Sequence, residues 1–268
     1  MTALTVSITY NLDVFLTKKY VLTCLFLAYF SIDFILLRLL IIEMVKEMVM
    51  TQERLYPDSG VELTPYIARH YDRLMNAISF GFYSRFIHKA IADIGIKRND
   101  NILDLGCGTG RNASLMLRYL GDEGRITGID LSPIMQDQFE KRFVNEHRVT
   151  FQRQRIDIPF DLGKKFDIVF ISFVIHGFPH EVRKVIIENV IRHLKLGGSF
   201  IILDFAEFDM AKMPALYRWV FKKIECKYAF DFIERDWKAI LSSYGFGSFT
   251  EHHYIKKYVR LLKGVKEK

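Results

Sequence analysis

The stretch Asn101–Asn112, NILDLGCGTGRN, decides the fold. A short apolar run carries an acid, Asp104, and leads at once into glycines at alternate positions, Gly106, Gly108 and Gly110. Glycines spaced in this way after a strand serve a dinucleotide, a phosphate, some other nucleoside, or nothing more than a tight turn. A phosphate loop needs a lysine and a hydroxyl residue after its last glycine. Arg111, Asn112 and Ala113 stand there instead. A dinucleotide fingerprint needs a third glycine three places after the second, and that place holds Arg111. What remains is a glycine turn between strand and helix, bare enough for a ligand to reach the backbone. Its helix-start amides favour an anionic group, and Asp104 adds a carboxylate for a cation. A nucleoside ligand carrying both a carboxylate and an ammonium fits.

The next strand tests the nucleoside. RITGIDLSP (Arg125–Pro133) places Asp130 twenty residues beyond Gly110, where an acid accepts bonds from ribose hydroxyls. An aspartate at a strand end also serves as a turn residue or helix cap. Ser132, directly before Pro133, is the better cap, which leaves Asp130 free. Strand-like runs at Asn101–Leu105, Arg125–Asp130, Val149–Gln154, Phe166–Phe173 and Ser199–Phe205 alternate with helical stretches at Asn112–Leu120, Pro133–Asn145 and Glu181–Leu194. That alternation predicts an α/β domain, a mostly parallel sheet with helices on both faces. An insertion rich in aromatics (Phe205–Phe232), a helix over Glu234–Tyr244 and two strand-like runs follow.

The 268 residues are half hydrophobic and about a quarter charged, enough for one large or two small domains. A net charge of +7 suits a nucleic acid, an anionic membrane or an anionic ligand and selects none of them. Cys24, Cys107 and Cys226 form no CxxC pair, so neither a zinc site nor a disulfide framework is indicated, and a reducing, cytoplasmic compartment fits.

Residues 1–43 stand apart from the expected domain, 44–268. Tyr20–Ile42, YVLTCLFLAYFSIDFILLRLLII, is long enough to span a bilayer. Asp33 and Arg38 interrupt it, each costing about 2.5–3.5 kcal/mol at a helix centre against roughly 0.3–0.6 kcal/mol gained per large aliphatic or Phe residue. The sum lies near zero. Three readings stay open: a membrane or interfacial anchor, a helix docked on the domain, or sequence upstream of a true start at Met44, Met48 or Met50. No small-residue cleavage site follows, so a secretory signal is not expected.

LDLGCGTG and GIDLSP resemble the first and second motifs of the class I S-adenosylmethionine-dependent methyltransferases. FDIVFISFVIHGF is similar to their fourth strand, and LKLGGSFIILDF to their glycine turn and fifth strand. The resemblance implies a Rossmann-like methyltransferase fold with a seven-stranded sheet, and S-adenosylmethionine as cofactor. It also implies that Asp104 and the Gly106–Cys107–Gly108–Thr109–Gly110 loop hold the methionine part. Asp130 and Leu131 would then take the ribose, with Ser172 lining the site at the end of the fourth strand. Within the family the chain most resembles the ubiquinone and menaquinone C-methyltransferases. HYDRLMNAISFGFYSRF is similar to their helical lid, which would bring His70 and Tyr71 over the substrate, and ISF and the Asp204–Phe205 pair also match. The chain departs from that branch in two places. Val174, Ile175, His176 and Gly177 stand where a small residue, Leu, Arg and Asn are usual. Arg155 and Ile156, with Asp157 adjacent, stand at the adenine position in place of an Asp- or Asn-Ala pair.

Methyl transfer chiefly demands positioning, and an oxygen or carbon nucleophile often needs a base as well. His176 is the candidate, since it follows the fourth strand at the sheet edge from which ligands are approached and has an unperturbed pKa near ~6.5. A capping or carbonyl-bonded histidine is the bland alternative. His180 lies four residues on, but two histidines without a third ligand make a poor metal site, and no metal is expected. The expected substrate is small and largely apolar, roofed by the lid helix (Tyr66–Ile78) and the aromatic insertion. The basic tail, Lys256, Lys257, Arg260, Lys263, Lys266 and Lys268, is either a solvated strand or a peripheral membrane contact. A nucleic-acid methyltransferase is the alternative enzyme, although SFVI replaces the proline-rich motif of those acting on base amines, so no nucleic-acid partner is expected. A non-catalytic cofactor-binding scaffold is the alternative outside enzymes. The sequence leaves the oligomeric state open.

Overall fold

The computed structural model describes Tyr56, Ser59 and residues 82–268. The apolar segment 20–42 and the lid helix with His70 and Tyr71 lie outside the described residues. The compact unit that carries the site runs over Val49–Met213 and Glu225–Lys268; Pro214–Ile224 falls in the other unit.

Seven strands build one sheet: β1 (Asn101–Leu105), β2 (Arg125–Asp130), β3 (Val149–Arg153), β4 (Phe166–Ser172), β5 (Leu194–Phe205), β6 (Phe246–Tyr254) and β7 (Val259–Lys266). Their order is β3-β2-β1-β4-β5-β7-β6. β1 to β5 run parallel, and β7 is antiparallel to both β5 and β6. The central strands are almost wholly buried, with Leu103, Val169, Phe170, Ile201 and Leu203 fully excluded from solvent. This is why they read as continuous apolar runs, as expected of strands covered on both faces. The edge strand β6 keeps Glu251, His252 and His253 exposed.

The described helices are α1 (Phe82–Asp93), α2 (Arg111–Met116), α3 (Pro133–Arg142), α4 (His180–His193), α5 (Ala215–Ile224), α6 (Lys227–Ile233) and α7 (Trp237–Ser243). Helix ends differ from expectation where side chains intervene. α3 stops at Arg142 rather than Asn145, where Phe143 leaves helical geometry to pack on Phe139 at 4.8 Å. α7 starts at Trp237 rather than Glu234, because the Asp236 carboxylate caps it by accepting from the Ala239 amide at 2.9 Å. β5 starts five residues early, at Leu194, and pairs with Phe166 before a register shift.

The basic tail belongs to the fold. Arg260 is buried between Glu207 and Glu251, Lys263 donates to the Ile94 carbonyl, and Lys266 to those of Ile191 and Leu194. Three of the six charges are thus engaged inside the domain. No described helix is long and apolar enough to cross a membrane.

Candidate active site

β1 lies between β2 and β4, so the chain leaves the sheet in opposite directions on either side of it. Open sheets of this kind take their ligands at such a switch point, at the carboxyl ends of the strands. The glycine loop fills one wall. The Gly106 and Cys107 amides donate to the Ile129 carbonyl at 2.8 and 3.0 Å, which hangs the loop on β2. Gly106, Gly108 and Gly110 all have positive φ, at +71°, +53° and +75°. At Gly106 a Cβ would lie 2.6 Å from Val174 Cγ2, so the bulk that Val174 brings leans on a position that only glycine fills. At Gly108 the nearest atom to a Cβ would be Met135 Sδ at 3.9 Å. Space is open on that side, as a backbone reserved for a ligand requires.

Asp104 closes the base of the loop. It is 1% exposed, and its Oδ2 has no hydrogen-bond partner. Burial, with the nearby Asp130 charge adding, pushes its carboxyl up to about 8. A buried carboxylate oxygen without a partner is costly unless a ligand supplies one. Fixed beside an open glycine backbone, it suits the ammonium of an amino-acid group. The residues present therefore fit S-adenosylmethionine.

Asp130 is not free, contrary to the sequence expectation. Ser132 does cap α3, accepting from the Met135 amide, but the Asp130 carboxylate accepts two amides of its own: Gly108 N–H at 3.0 Å and Ser132 N–H at 2.9 Å. One acid thus ties the glycine loop to the β2–α3 turn. Burial raises its pKa despite those donors and that of Leu131, which lies half-buried beside it. Cys107 contributes backbone alone. Its buried thiol packs on β2, where a Cβ at Gly128 would lie 2.7 Å from Sγ, and burial raises its pKa. Thr109 is buried in the same loop, and Ser172 is half-buried at the end of β4.

The wall after β3 is polar and rigid. Arg155 grips Asp157 through Nε at 2.9 Å and Nη2 at 2.6 Å. Ile156 is buried, and its carbonyl accepts from Asn189 Nδ2, which also reaches the Ile158 carbonyl, while Asn189 Oδ1 accepts from the Phe160 amide. His193 continues the clamp, its Nε2 accepting from the Leu162 amide. The sequence reading missed Asn189 and His193, because a polar residue inside an amphipathic helix gives no sign of which loop it faces. It also missed Tyr56. That ring meets Phe178 edge-on at 5.4 Å, with the Arg155 guanidinium 5.7 Å from its centre.

His176 sits in a 3₁₀ turn, Ile175–Gly177, after β4. Phe173, just before it, adopts a left-handed φ of 52°, a conformation costly outside glycine and concentrated at functional sites. His176 Nδ1 meets Asp204 Oδ1 at 2.8 Å, and Nε2 lies 3.7 Å from Glu225 Oε2. The ring packs beside Phe205 at 5.0 Å and Phe232 at 6.4 Å. Burial alone would lower its pKa. The Asp204 charge and bond, with Glu225, outweigh burial and the opposing Arg183 charge, and leave it raised. His176 is thus held by a carboxylate and is not a carbonyl-bonded cap. His180 does not join it; it starts α4, and burial with the charges of Arg235 and Lys184 lowers its pKa. Of the insertion aromatics, Phe232 is core, its ring tilted against Trp237 at 4.4 Å.

A methyltransferase-domain family model matches residues 102–198. A demethylmenaquinone methyltransferase from Lactiplantibacillus plantarum is 28% identical over 162 residues, 59% of this chain and 67% of that protein. One from Staphylococcus aureus is 28% identical over 157 residues, 58% and 64% respectively. The chain thus spans about two thirds of the length of these relatives. The fold is also that of a SAM-dependent methyltransferase from Aquifex aeolicus, at TM-score 0.53 and 16% identity, over 76% of this chain and all of that one. Glycine loop, sheet order and sequence similarity agree: the chain is a class I S-adenosylmethionine-dependent methyltransferase. Within that class it is related to the ubiquinone and menaquinone C-methyltransferases.

Proposed function

We propose that this enzyme methylates a small, largely apolar acceptor, quinone-like in character, with His176 as the base when carbon or oxygen is methylated. The observation that carries the reading is the placement of His176. Its buried imidazole lies at the same strand ends as the glycine loop, between Phe205 and Phe232, where an apolar acceptor is favoured over a charged one. The demethylmenaquinone methyltransferase relatives support the same acceptor class.

The cofactor supplies an electrophilic methyl group. Asp104 would hold its ammonium, the Gly108 side of the loop its carboxylate, Asp130 and Leu131 the ribose, and the Arg155–Asp157 wall the adenine. His176 Nε2 would take the acceptor's proton, and the surrounding rings exclude water from that transfer. A cytoplasmic enzyme with peripheral membrane contact suits an apolar acceptor, and no nucleic acid is needed as a partner.

Labelled methyl transfer to quinone, lipid, other small-molecule and RNA fractions tests the reading. Label is expected in the quinone or another apolar small-molecule fraction. Label in RNA would favour the nucleic-acid alternative, and cofactor binding without any transfer would favour a scaffold. Replacing His176 by Gln is expected to slow transfer by roughly 10²–10⁴-fold with cofactor affinity unchanged.

A further inference from the structure

We propose that Asp204 is the positioning residue for His176, fixing its Nδ1–H tautomer so that Nε2 is the nitrogen that meets the acceptor, while Glu225 adjusts how firmly Nε2 keeps a proton. This rests on the reading of His176 as the base.

Asp204 ends β5 and is 1% exposed. Its carboxylate engages one histidine twice. Oδ1 accepts from the ring at Nδ1 (2.8 Å), and Oδ2 accepts from the His176 backbone amide (3.4 Å). Oδ1 also accepts from the Phe205 amide at 2.8 Å, which pins the carboxylate to its own strand end. An ionised carboxylate only accepts, so the facing nitrogen must carry the hydrogen. Nε2 is left as the basic site of the neutral ring. Glu225 Oε2, 3.7 Å away, is too far for a good hydrogen bond but close enough for its charge to act.

The charged groups around the ring come from four places. Asp204 on β5 and Glu225 ahead of α6 favour the imidazolium. Arg183 on α4 opposes it, and is itself bound by Asp231 on α6 at 2.6 Å. Arg183 also holds the turn from behind, donating to the Ile175 carbonyl at 3.2 Å and the His176 carbonyl at 3.0 Å. Asp204 therefore fixes the ring and the amide of His176, and Arg183 the carbonyl side of the turn, as a base that must present one nitrogen requires. In the step itself the acceptor's proton moves to Nε2; the electron pair left on the acceptor would form the new bond to the methyl group as the methyl–sulfonium bond breaks and its pair stays on the neutral thioether that leaves. Nδ1–H stays in place on the Asp204 side, and the imidazolium later returns its proton to solvent.

Long-range ¹H–¹⁵N spectra of the full-length protein, titrated between about pH 5 and 9, test this without knowledge of the acceptor, with His176→Gln identifying the signals. The neutral ring is expected as Nδ1–H, titrating above the ordinary histidine midpoint of ~6.5. Asp204→Asn should lower that midpoint by about one unit or more and populate the Nε2–H form. Glu225→Gln should lower it by less and leave the tautomer unchanged. In turnover, Asp204→Asn should reduce kcat about 10²-fold and move the acidic limb of the pH profile down, with the KM for cofactor unaltered. Asp204→Glu, which keeps the charge, should keep the raised midpoint and recover part of the rate. Should Asp204→Asn not fold, the wild-type tautomer and Asp204→Glu decide the matter. An Nε2–H ring in the wild-type protein overturns the inference. So does an unmoved midpoint and rate in Asp204→Asn alongside an inactive His176→Gln, which leaves the base role standing. Full activity in His176→Gln removes the base role and this inference together.

Discussion

Asp104 couples cofactor binding to protons. Its carboxyl sits at about 8 in the ligand-free chain, so at pH 7 it is mostly protonated. A bound ammonium favours the ionised form, and binding should therefore release up to about one proton. Affinity is expected to strengthen as pH rises from about 6 towards 8, by up to roughly tenfold per unit. Calorimetry in buffers of different ionisation enthalpy reads the proton directly, and a buffer-independent heat would remove Asp104 from that role. The same group has a stability sign. Its folded pKa lies above the unfolded one, so its contribution is fully present below about pH 4 and is lost as pH climbs through about 8. Asp130 behaves differently because two amides depend on it. Asp130→Ala is expected to abolish cofactor binding and also to lower Tm, since each buried donor left without an acceptor costs about 1–3 kcal/mol. An unchanged melting curve together with unchanged affinity would refute both assignments.

At the scale of elements, the loop after β3 depends on α4. Asn189 makes three hydrogen bonds to the main chain of Ile156, Ile158 and Phe160. Asn189→Ala should destabilise the domain by about 2–4 kcal/mol, because several buried polar groups lose their partner at once. It should also weaken cofactor binding while leaving the His176 titration in place, since Arg155 and Asp157 stand on the same loop. Denaturant unfolding and calorimetry separate the two effects. Retained affinity at reduced stability would mean that this wall does not touch the cofactor.

At the scale of the whole molecule, the compact unit that holds the site begins at Val49. A chain starting at Met44 is accordingly expected to fold, melt and bind cofactor as the full chain does. Lower thermal stability after truncation would show that the apolar segment 20–42 packs on the domain. Recovery of the full chain alone in membrane fractions would favour an anchor. Liposome flotation with anionic vesicles completes the test: a tail that meets anionic lipid should bind less well in the Met44 chain once Lys256 and Lys257 are replaced, because Arg260, Lys263 and Lys266 already serve the fold, and unchanged flotation would remove the tail from that role.

The sequence by itself determined the sheet and the cofactor loop, because both are written in local terms. Buried central strands demand continuous apolar runs, and positive φ at Gly106, Gly108 and Gly110 demands glycine at those places. His176 was also legible as a candidate, from its position just after the fourth strand. Its partners were not. Asp204 lies 28 residues from His176 and Asn189 lies 33 from Ile156, separations bridged only when β5 pairs with β4 and α4 covers the sheet. The double duty of Asp130 was hidden for a related reason. Whether a carboxylate is free for a ligand depends on which amides turn towards it, and the Gly108 amide reaches it only through the loop's left-handed turn. Tertiary structure alone decided that Arg260, Lys263 and Lys266 of the basic tail bond within the domain and that Tyr56 stands beside Phe178, since packing across the molecule leaves no trace in local spacing.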